Sequence, residues 1–440
     1  MMDWFTILLS VFGSLLLILA TGLPVVLAFI LVTFASLYIL QGGNGAILQQ
    51  NILAMESSLR TFTLLPVPLF ILMGEILWQS SIATNALGAI DKWLGRVPGR
   101  LSLLTVMSGT VFSALSGSTM ANTAILGKLL LPDMHKRGYD PVMSMGPIMS
   151  SGALAMLIPP SALAVVYATI AQISIGALLM ALILPGLILA ISYVVYIVVR
   201  CYLNPALAPR DENLVRVSRA QALKELLVYV APLSLVVFSV VGVIFLGIAT
   251  PTEAAALGAL SSLVLAAAYR GLTWKGFVSA IEGTAQISGM VLIIIAAAIG
   301  FSQLLAFSGA SKGLLDYVVA LSANPTVVIL LMMALILVLG CFMEQIAIMS
   351  ITLPIFVPIL KLLGIEPVWF AVMMLINLEI GLMTPPFGLL LFVMKGVAPP
   401  EVTMQTIYRA ATPYLIINAL VIGAILIWPK LALLLPSLIQ

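Results

Sequence analysis

The sequence predicts an all-α polytopic membrane protein built as two inverted repeats, with about ten transmembrane helices plus two re-entrant helical hairpins. Three observations predict it. Of 440 residues, 62% are apolar and 8% charged, too few polar side chains to cover a water-soluble chain of this length. The apolar runs last about 16 to 25 residues between Gly, Pro and charge clusters, near the ~20 residues that a helical span requires, and they lack the alternation of a membrane β-barrel. Prolines and glycines also recur at a single offset. Pro132, Gly138, Pro141, Pro159 and Pro160 are matched by Pro358, Gly364, Pro367, Pro385 and Pro386, every pair related by the same shift in numbering that takes 132 to 358.

The same offset takes Gly74 to Gly300 and the run 4–20 to 230–246, and to within one position it takes Pro24 to Pro251. Gap-free spacing at kinks, where backbone geometry restricts residue type, argues for a repeat over the general likeness of apolar helices. The first repeat covers 1–203 and the second 227–440, with a connection at 204–226. The opening run follows Met1-Met2-Asp3-Trp4 with no basic stretch and no small-residue cleavage site, so it reads as a retained helix. Spans at 4–20, 22–40 and 61–79 open the first repeat.

Lys and Arg place the connections. Lys92, Arg96 and Arg100 flank one side of the apolar stretch 101–132, and Lys136 and Arg137 flank the other. Both flanks are therefore cytoplasmic. Each arm between them is about 16 residues, short of the ~20 needed to cross, so the segment reads as a re-entrant hairpin with its tip near Ser116-Gly117-Ser118. A broken helix at 142–171 then crosses outward, and 177–199 returns to the most basic connection, which holds Arg200, Arg210, Arg216, Arg219 and Lys224. Spans follow at 227–246, 251–269 and 280–306, then a hairpin at 326–360 entering from the periplasm, a broken helix at 368–394 and a last span at 411–429. On this scheme 15 of the 19 Lys and Arg are cytoplasmic, both termini are periplasmic, and the odd count of five crossings per repeat turns the second copy upside down. The six tryptophans mostly fall at span ends, as an interfacial belt requires.

Four stretches carry chemistry. Ser116 through Thr123 is small and hydroxylated inside an apolar run, which hydrocarbon tolerates only where backbone lines a cavity or binds an ion. Ile158-Pro159-Pro160-Ser161 and Thr384-Pro385-Pro386-Phe387 must interrupt their helices, because two successive prolines remove two amide donors. A half-helix restarting after such a break points its positive N-terminal end into the midplane, where it suits an anion, and freed carbonyls and hydroxyls suit a hard cation such as sodium. The second hairpin tip is Gly340-Cys341-Phe342-Met343-Glu344, where Glu344 matches Ser118 by the offset. The sodium-site candidates are accordingly Ser116, Gly117, Ser118, Asn122, Pro159, Ser161, Gly340, Glu344, Thr384 and Pro386; the solute candidates are Ser118, Thr119, Ser161 and Thr384.

Glu75, Glu253, Glu344 and Glu379 lie within or at the ends of apolar segments, where carboxylates face cavities or partners. Glu253, close behind Pro251, reads as a helix-capping acid. Glu379 lies shortly before Pro385, and its role, like that of Glu75, stays open. Among basic residues only Lys128 is placed near the interior, so solute charge is expected to meet helix ends and hydroxyls. His135 is the only histidine and sits in a charged loop, and Cys201 and Cys341 are isolated. These exclude a histidine proton relay and argue against zinc, haem and disulfide frameworks. No phosphate-binding glycine loop is present, and no nucleophile–base pair can be assembled, so neither ATP hydrolysis nor enzymatic chemistry is expected.

Ser116 through Gly127, Pro132-Asp133-Met134-His135-Lys136-Arg137-Gly138-Tyr139-Asp140, Ile158 through Ser161, Pro68-Leu69-Phe70 with Gly74-Glu75, and Gly247 through Ala255 together resemble the large membrane subunit of tripartite ATP-independent periplasmic (TRAP) transporters. The resemblance implies a sodium-driven, elevator-type secondary transporter in the bacterial inner membrane. It also implies two partners, a small four-helix membrane subunit and a periplasmic binding protein that delivers a carboxylate or sialic acid; no nucleic acid is expected. In that family sodium is held at the hairpin tips and helix breaks, which here means Ser118 to Asn122, Pro159 to Ser161, Glu344, and Thr384 to Phe387. A stand-alone sodium–anion symporter of the same superfamily is the competing expectation.

Overall fold

The computed structural model describes residues 3–40, 42–80, 82–95, 97–116, 118–209, 218–320 and 324–438, with the backbone alone for residues 83 and 112–116. The regular structure among the described residues is helical, because hydrocarbon leaves each backbone amide and carbonyl to be paired within its own segment. Helices α1 (Trp4–Ala20) and α2 (Val25–Leu40) are followed by α3 (Gly45–Leu59), which starts where the Asn44 side chain accepts from Ala46 N. Then come α4 (Pro66–Gln79) and α5 (Ile82–Leu94). The first hairpin is α6 (Arg100–Ser116) and α7 (Thr119–Lys136). A broken helix follows, α8 (Pro141–Ala153) and α9 (Ala162–Ala171), and then the long α10 (Ile175–Leu203).

The second half opens with α11 (Arg219–Glu225), which passes through a π-helical turn at Leu226–Val230 into α12 (Ala231–Phe245). Helix α13 (Pro251–Ala268) starts from a capping box in which Thr250 and Glu253 satisfy each other's backbone amides, as the sequence led one to expect of Glu253. After it come α14 (Trp274–Phe307), α15 (Ala310–Ala320), and the arms α16 (Pro325–Gly340) and α17 (Gln345–Leu362). A second broken helix, α18 (Pro367–Met383) and α19 (Leu389–Val397), leads to α20 (Met404–Ile427) and the short α21 (Lys430–Leu433). Among the described residues seven helical stretches are long and apolar enough to cross a membrane, and five shorter helices are apolar. Large apolar side chains such as Leu17, Ile39, Phe238 and Leu331 stand exposed on the outer helices, where lipid would meet them.

Helix bounds recur at the same interval as the prolines. Helix α7 begins at Thr119 and α17 at Gln345, separated by the proline offset, and each has 18 residues. One difference stands out. Residues 45–59 and 66–79 form two helices, whereas nearly all the equivalent positions of the second half fall inside the continuous 34-residue α14. Pro66 and Pro68 explain it: each removes an amide donor, and their counterparts Leu292 and Ile294 do not. Sequence reading misses α3 and starts α14 too late, since polar residues such as Gln49, Gln50 and Lys275 interrupt the apolar pattern there.

The chain packs as one large buried cluster plus a smaller one in which Leu15, Phe29 and Phe301 join α1, α2 and α14. Glycines allow the tightest crossings. A Cβ on Gly340 would lie 2.6 Å from Gly381 Cα, so α16 and α18 meet backbone to backbone. A Cβ on Gly152 would lie 2.3 Å from Thr123 Oγ1, which sets α8 directly against α7.

The expectation for buried basic residues needs correction. Lys128 is exposed, and the buried cation among the described residues is Arg100, only 9% exposed, where α6 begins. Its guanidinium donates through Nε to Asp91 Oδ1 at 2.8 Å and through Nη2 to Oδ2 at 2.5 Å. A bidentate pair of this kind satisfies both partners, which is what permits the burial.

Gly340→Ala forces the α16–α18 crossing apart and should cost about 1–3 kcal/mol, the usual range for overpacking. Gly13→Ala is the control, since no atom lies within 4 Å of its added Cβ. Thermal unfolding of the purified protein in detergent should show a lower midpoint for the first and no loss for the second.

Candidate functional site

The hairpin tips and the first helix break meet at one cavity of about 240 Å³. Ser118, Thr119 and Met120 line it from the start of α7, and Glu344, Gln345 and Ile346 from the start of α17. The two sets correspond position by position under the offset that relates the proline pairs. Pro160, Ala162 and Leu163 line it from the start of α9, while α4 and α14 close the remaining sides.

Three helix N-termini therefore open onto the same space. The sequence explains each start. Ser118 has extended backbone and accepts from Ala121 N at 3.3 Å, capping α7. Ser161 caps α9 in the same way, accepting from Ala164 N at 3.3 Å after two prolines that cannot continue α8. Glu344 occupies the cap position of α17 but makes no capping bond, so its carboxylate is not committed to the helix start. Unpaired amides and the helix dipoles make such a convergence attractive to an anion, while Glu344 adds a negative group on the same wall.

Oxygen atoms gather beside the first tip. Asn122 Nδ2 lies 3.5 Å from both Gly109 O and Ser151 O. Thr123 Oγ1 is buried without a hydrogen-bond partner among the described residues, next to Gly152. Carbonyls and hydroxyls in a close-packed, water-poor setting are the ligand chemistry of a hard cation. The orphaned Thr123 hydroxyl shows that this cluster has acceptor capacity to spare, so the residues present fit sodium. The described residues hold no group of three or more His, Cys, Asp or Glu suited to another metal.

The end of α16, on the far side of the second tip, and the second break form a separate place. Gly340 lies against Gly381, Cys341 Sγ is 4.0 Å from Pro385 O, and the rings of Phe342 and Phe387 are 5.4 Å apart. Thr384 Oγ1 donates to Ile380 O at 2.6 Å, and Tyr408 OH donates to Pro386 O at 2.9 Å. Pro159 and Pro160 are buried, whereas Pro386 is exposed. Both proline pairs have a cis peptide bond between their members.

The structure thus brings Ser118, Thr119, Glu344 and the Ser161-capped helix start together, sets Asn122 behind them, and leaves Gly340, Thr384 and Pro386 at the other break. Gly117 lies outside the described residues, as does the side chain of Ser116. Sequence reasoning includes Thr123 only as the end of the hydroxylated run and does not single out Gln345, Gly109 or the Ser150-Ser151-Gly152 run. That last run is visible as small polar residues inside an apolar span, the signal that identifies 116–123. Glu75 is half-buried against Gly283, its Cδ 3.1 Å from where a Cβ would stand. Glu379, 1% exposed, accepts from Thr119 Oγ1 and from Gln345 Nε2, each at 2.7 Å.

Comparison with known proteins agrees with this architecture. The family described as the tripartite ATP-independent periplasmic transporter, DctM component, matches residues 12–431. The chain is 32% identical over 434 residues to the sialic acid TRAP transporter large permease protein of Vibrio cholerae, covering 98% of each. It is 33% identical over 379 residues to the C4-dicarboxylate TRAP transporter large permease protein of Pseudomonas aeruginosa, covering 86% of each. Among solved structures the YdaH transporter of Alcanivorax borkumensis shares the fold, with a TM-score of 0.61 over 87% of this chain and 89% of that one at 15% identity. The permease relatives are transporter subunits, not enzymes. A family match over nearly the whole chain, together with the identity to both permeases along most of its length, makes this protein a member of the DctM family, the large membrane component of TRAP transporters.

Proposed function

We propose that the chain is the translocating subunit of a sodium-driven importer of an organic anion, either a carboxylate or a sialic acid. In this reading the solute arrives on a periplasmic binding protein, and a small membrane subunit completes the assembly, as is general for the family. The observation that carries the proposal is the cavity at which α7, α9 and α17 all begin, with Ser118 and Glu344 at equivalent positions of the two hairpins on its lining. Helix N-termini attract the carboxylate of the solute. Glu344 on the same wall repels it, so entry of the anion is favoured only with a compensating cation. The oxygen cluster of Gly109, Asn122, Thr123 and Ser151 offers a place for one. Electrostatics alone would then couple anion uptake to sodium. The recurrence of helix bounds supports two inverted repeats, and a pair of inverted halves can expose one central site alternately to each side.

Proteoliposomes holding this chain with its small subunit should take up solute only with a sodium gradient and the binding protein. Uptake without any binding protein would favour a stand-alone symporter; uptake indifferent to sodium would defeat the coupling. Ser118→Ala and Asn122→Ala should each raise the sodium concentration for half-maximal transport several-fold, and unchanged sodium dependence in both would remove the first tip from the ion site. Gly95→Cys and Lys136→Cys, on either side of the first hairpin, should both label with a membrane-impermeant thiol reagent from the cytoplasm; labelling from opposite faces would end the re-entrant topology.

A further inference from the structure

Glu379 is 1% exposed, and its hydrogen bonds to the described residues are unevenly distributed between its two oxygens. One atom, Oε1, accepts both of them, from Thr119 Oγ1 at 2.7 Å and from Gln345 Nε2 at 2.7 Å. Thr119 is the first residue of α7 and Gln345 the first of α17. Equivalent positions of the two hairpins thus converge on a single acceptor. The counterpart of Glu379 in the first half is Ala153, so that half supplies no matching carboxylate. The first break joins the same node, because Gln345 Nε2 also lies 3.1 Å from Met156 Sδ.

The second oxygen, Oε2, is buried and has no hydrogen-bond partner among the described residues, and no salt bridge found among them involves Glu379. A hard cation would require several oxygen ligands around a carboxylate, whereas Gln345 presents its amide nitrogen. The geometry calls for an acceptor at Oε1, and nothing in it calls for a charge.

We propose that Glu379 is a positioning residue that couples the two hairpin tips, acting as their shared hydrogen-bond acceptor and not as an ion. The proposal rests on reading the hairpins as the elements that enclose the transported solute. Each tip presents a helix start to the cavity, and each is tied through its first residue to the same oxygen. Displacing one tip alone breaks its bond to Glu379 and leaves a buried polar group unpaired, a cost avoided when both tips and α18 move together. The solute and its ion therefore meet a pair of tips that hold their mutual spacing.

Amide hydrogen exchange of the full-length chain in lipid nanodiscs tests this, read at residues 118–123 and 344–349 beside the thermal midpoint of each variant. Thr119→Val should speed exchange at least threefold at the opposite tip, 344–349, and Gln345→Met should do the same at 118–123. Glu379→Leu should release both tips, and adding Thr119→Val to it should change 344–349 no further. Glu379→Gln, which keeps an acceptor oxygen without the charge, should hold both tips within twofold of the natural chain. The proposal is overturned if each hairpin substitution loosens only its own tip, or if Glu379→Gln behaves like Glu379→Leu. A purely structural role would lower the midpoint without cross-tip exchange, and that result also overturns it. Sodium-driven uptake does not enter the measurement, so failure of the transport reading would be seen separately.

Discussion

A helix broken inside a bilayer leaves amides and carbonyls that hydrocarbon cannot satisfy, and the rest of this structure follows from where those groups are placed. The chain breaks its helices at two hairpin tips and two proline pairs. At the first tip and first break the loose ends are turned inward, capped by Ser118 and Ser161, and faced with a second hairpin start at Gln345. Backbone polarity that would be a liability against lipid becomes the lining of a cavity. Three helix dipoles then act on the same small volume, a stronger arrangement for an anion than any one of them.

Close packing keeps those ends in place. Gly109 and Gly152 let α6, α7 and α8 approach until hydroxyls and carbonyls touch, and Gly340 with Gly381 does the same for α16 and α18. Small residues are what membrane helices use where no hydrophobic effect drives them together. The same close packing keeps lipid away from buried polar atoms such as Thr123 Oγ1. Arg100 shows the other solution to an interior polar group, full pairing with Asp91 at the base of the first hairpin.

Helix starts recur between the two halves at α7 and α17, but the chemistry of the halves differs. Helix bounds repeat at the proline offset, yet the first break is buried and serine-capped, while the second carries an exposed Pro386 and a glycine at the helix start. Glu344 stands where the first half has Ser118, and Glu379 where it has Ala153. One scaffold thus carries polar residues distributed unevenly between its halves.

Much of this is legible in the chain itself. Composition alone places it in a membrane, because no other solvent accepts 62% apolar residues in helical runs. Proline pairs mark both breaks, and the hydroxyl run marks the first tip, since these residue types act on the backbone locally and need no neighbour to do so. Helix α3 and the length of α14 escape such reading where polar side chains interrupt a helix that its surroundings nonetheless stabilise. Lys128 is misplaced for a related reason: sequence position gives depth only roughly, while burial depends on which face of α7 meets a neighbour. Which candidates share a site is decided by tertiary structure alone. Ser118 and Glu344 meet at one cavity and Thr384 does not; Glu379 joins Thr119 and Gln345, each distant from it in the chain. Local sequence dictates where a helix must stop, but long-range packing decides what its loose end finds there.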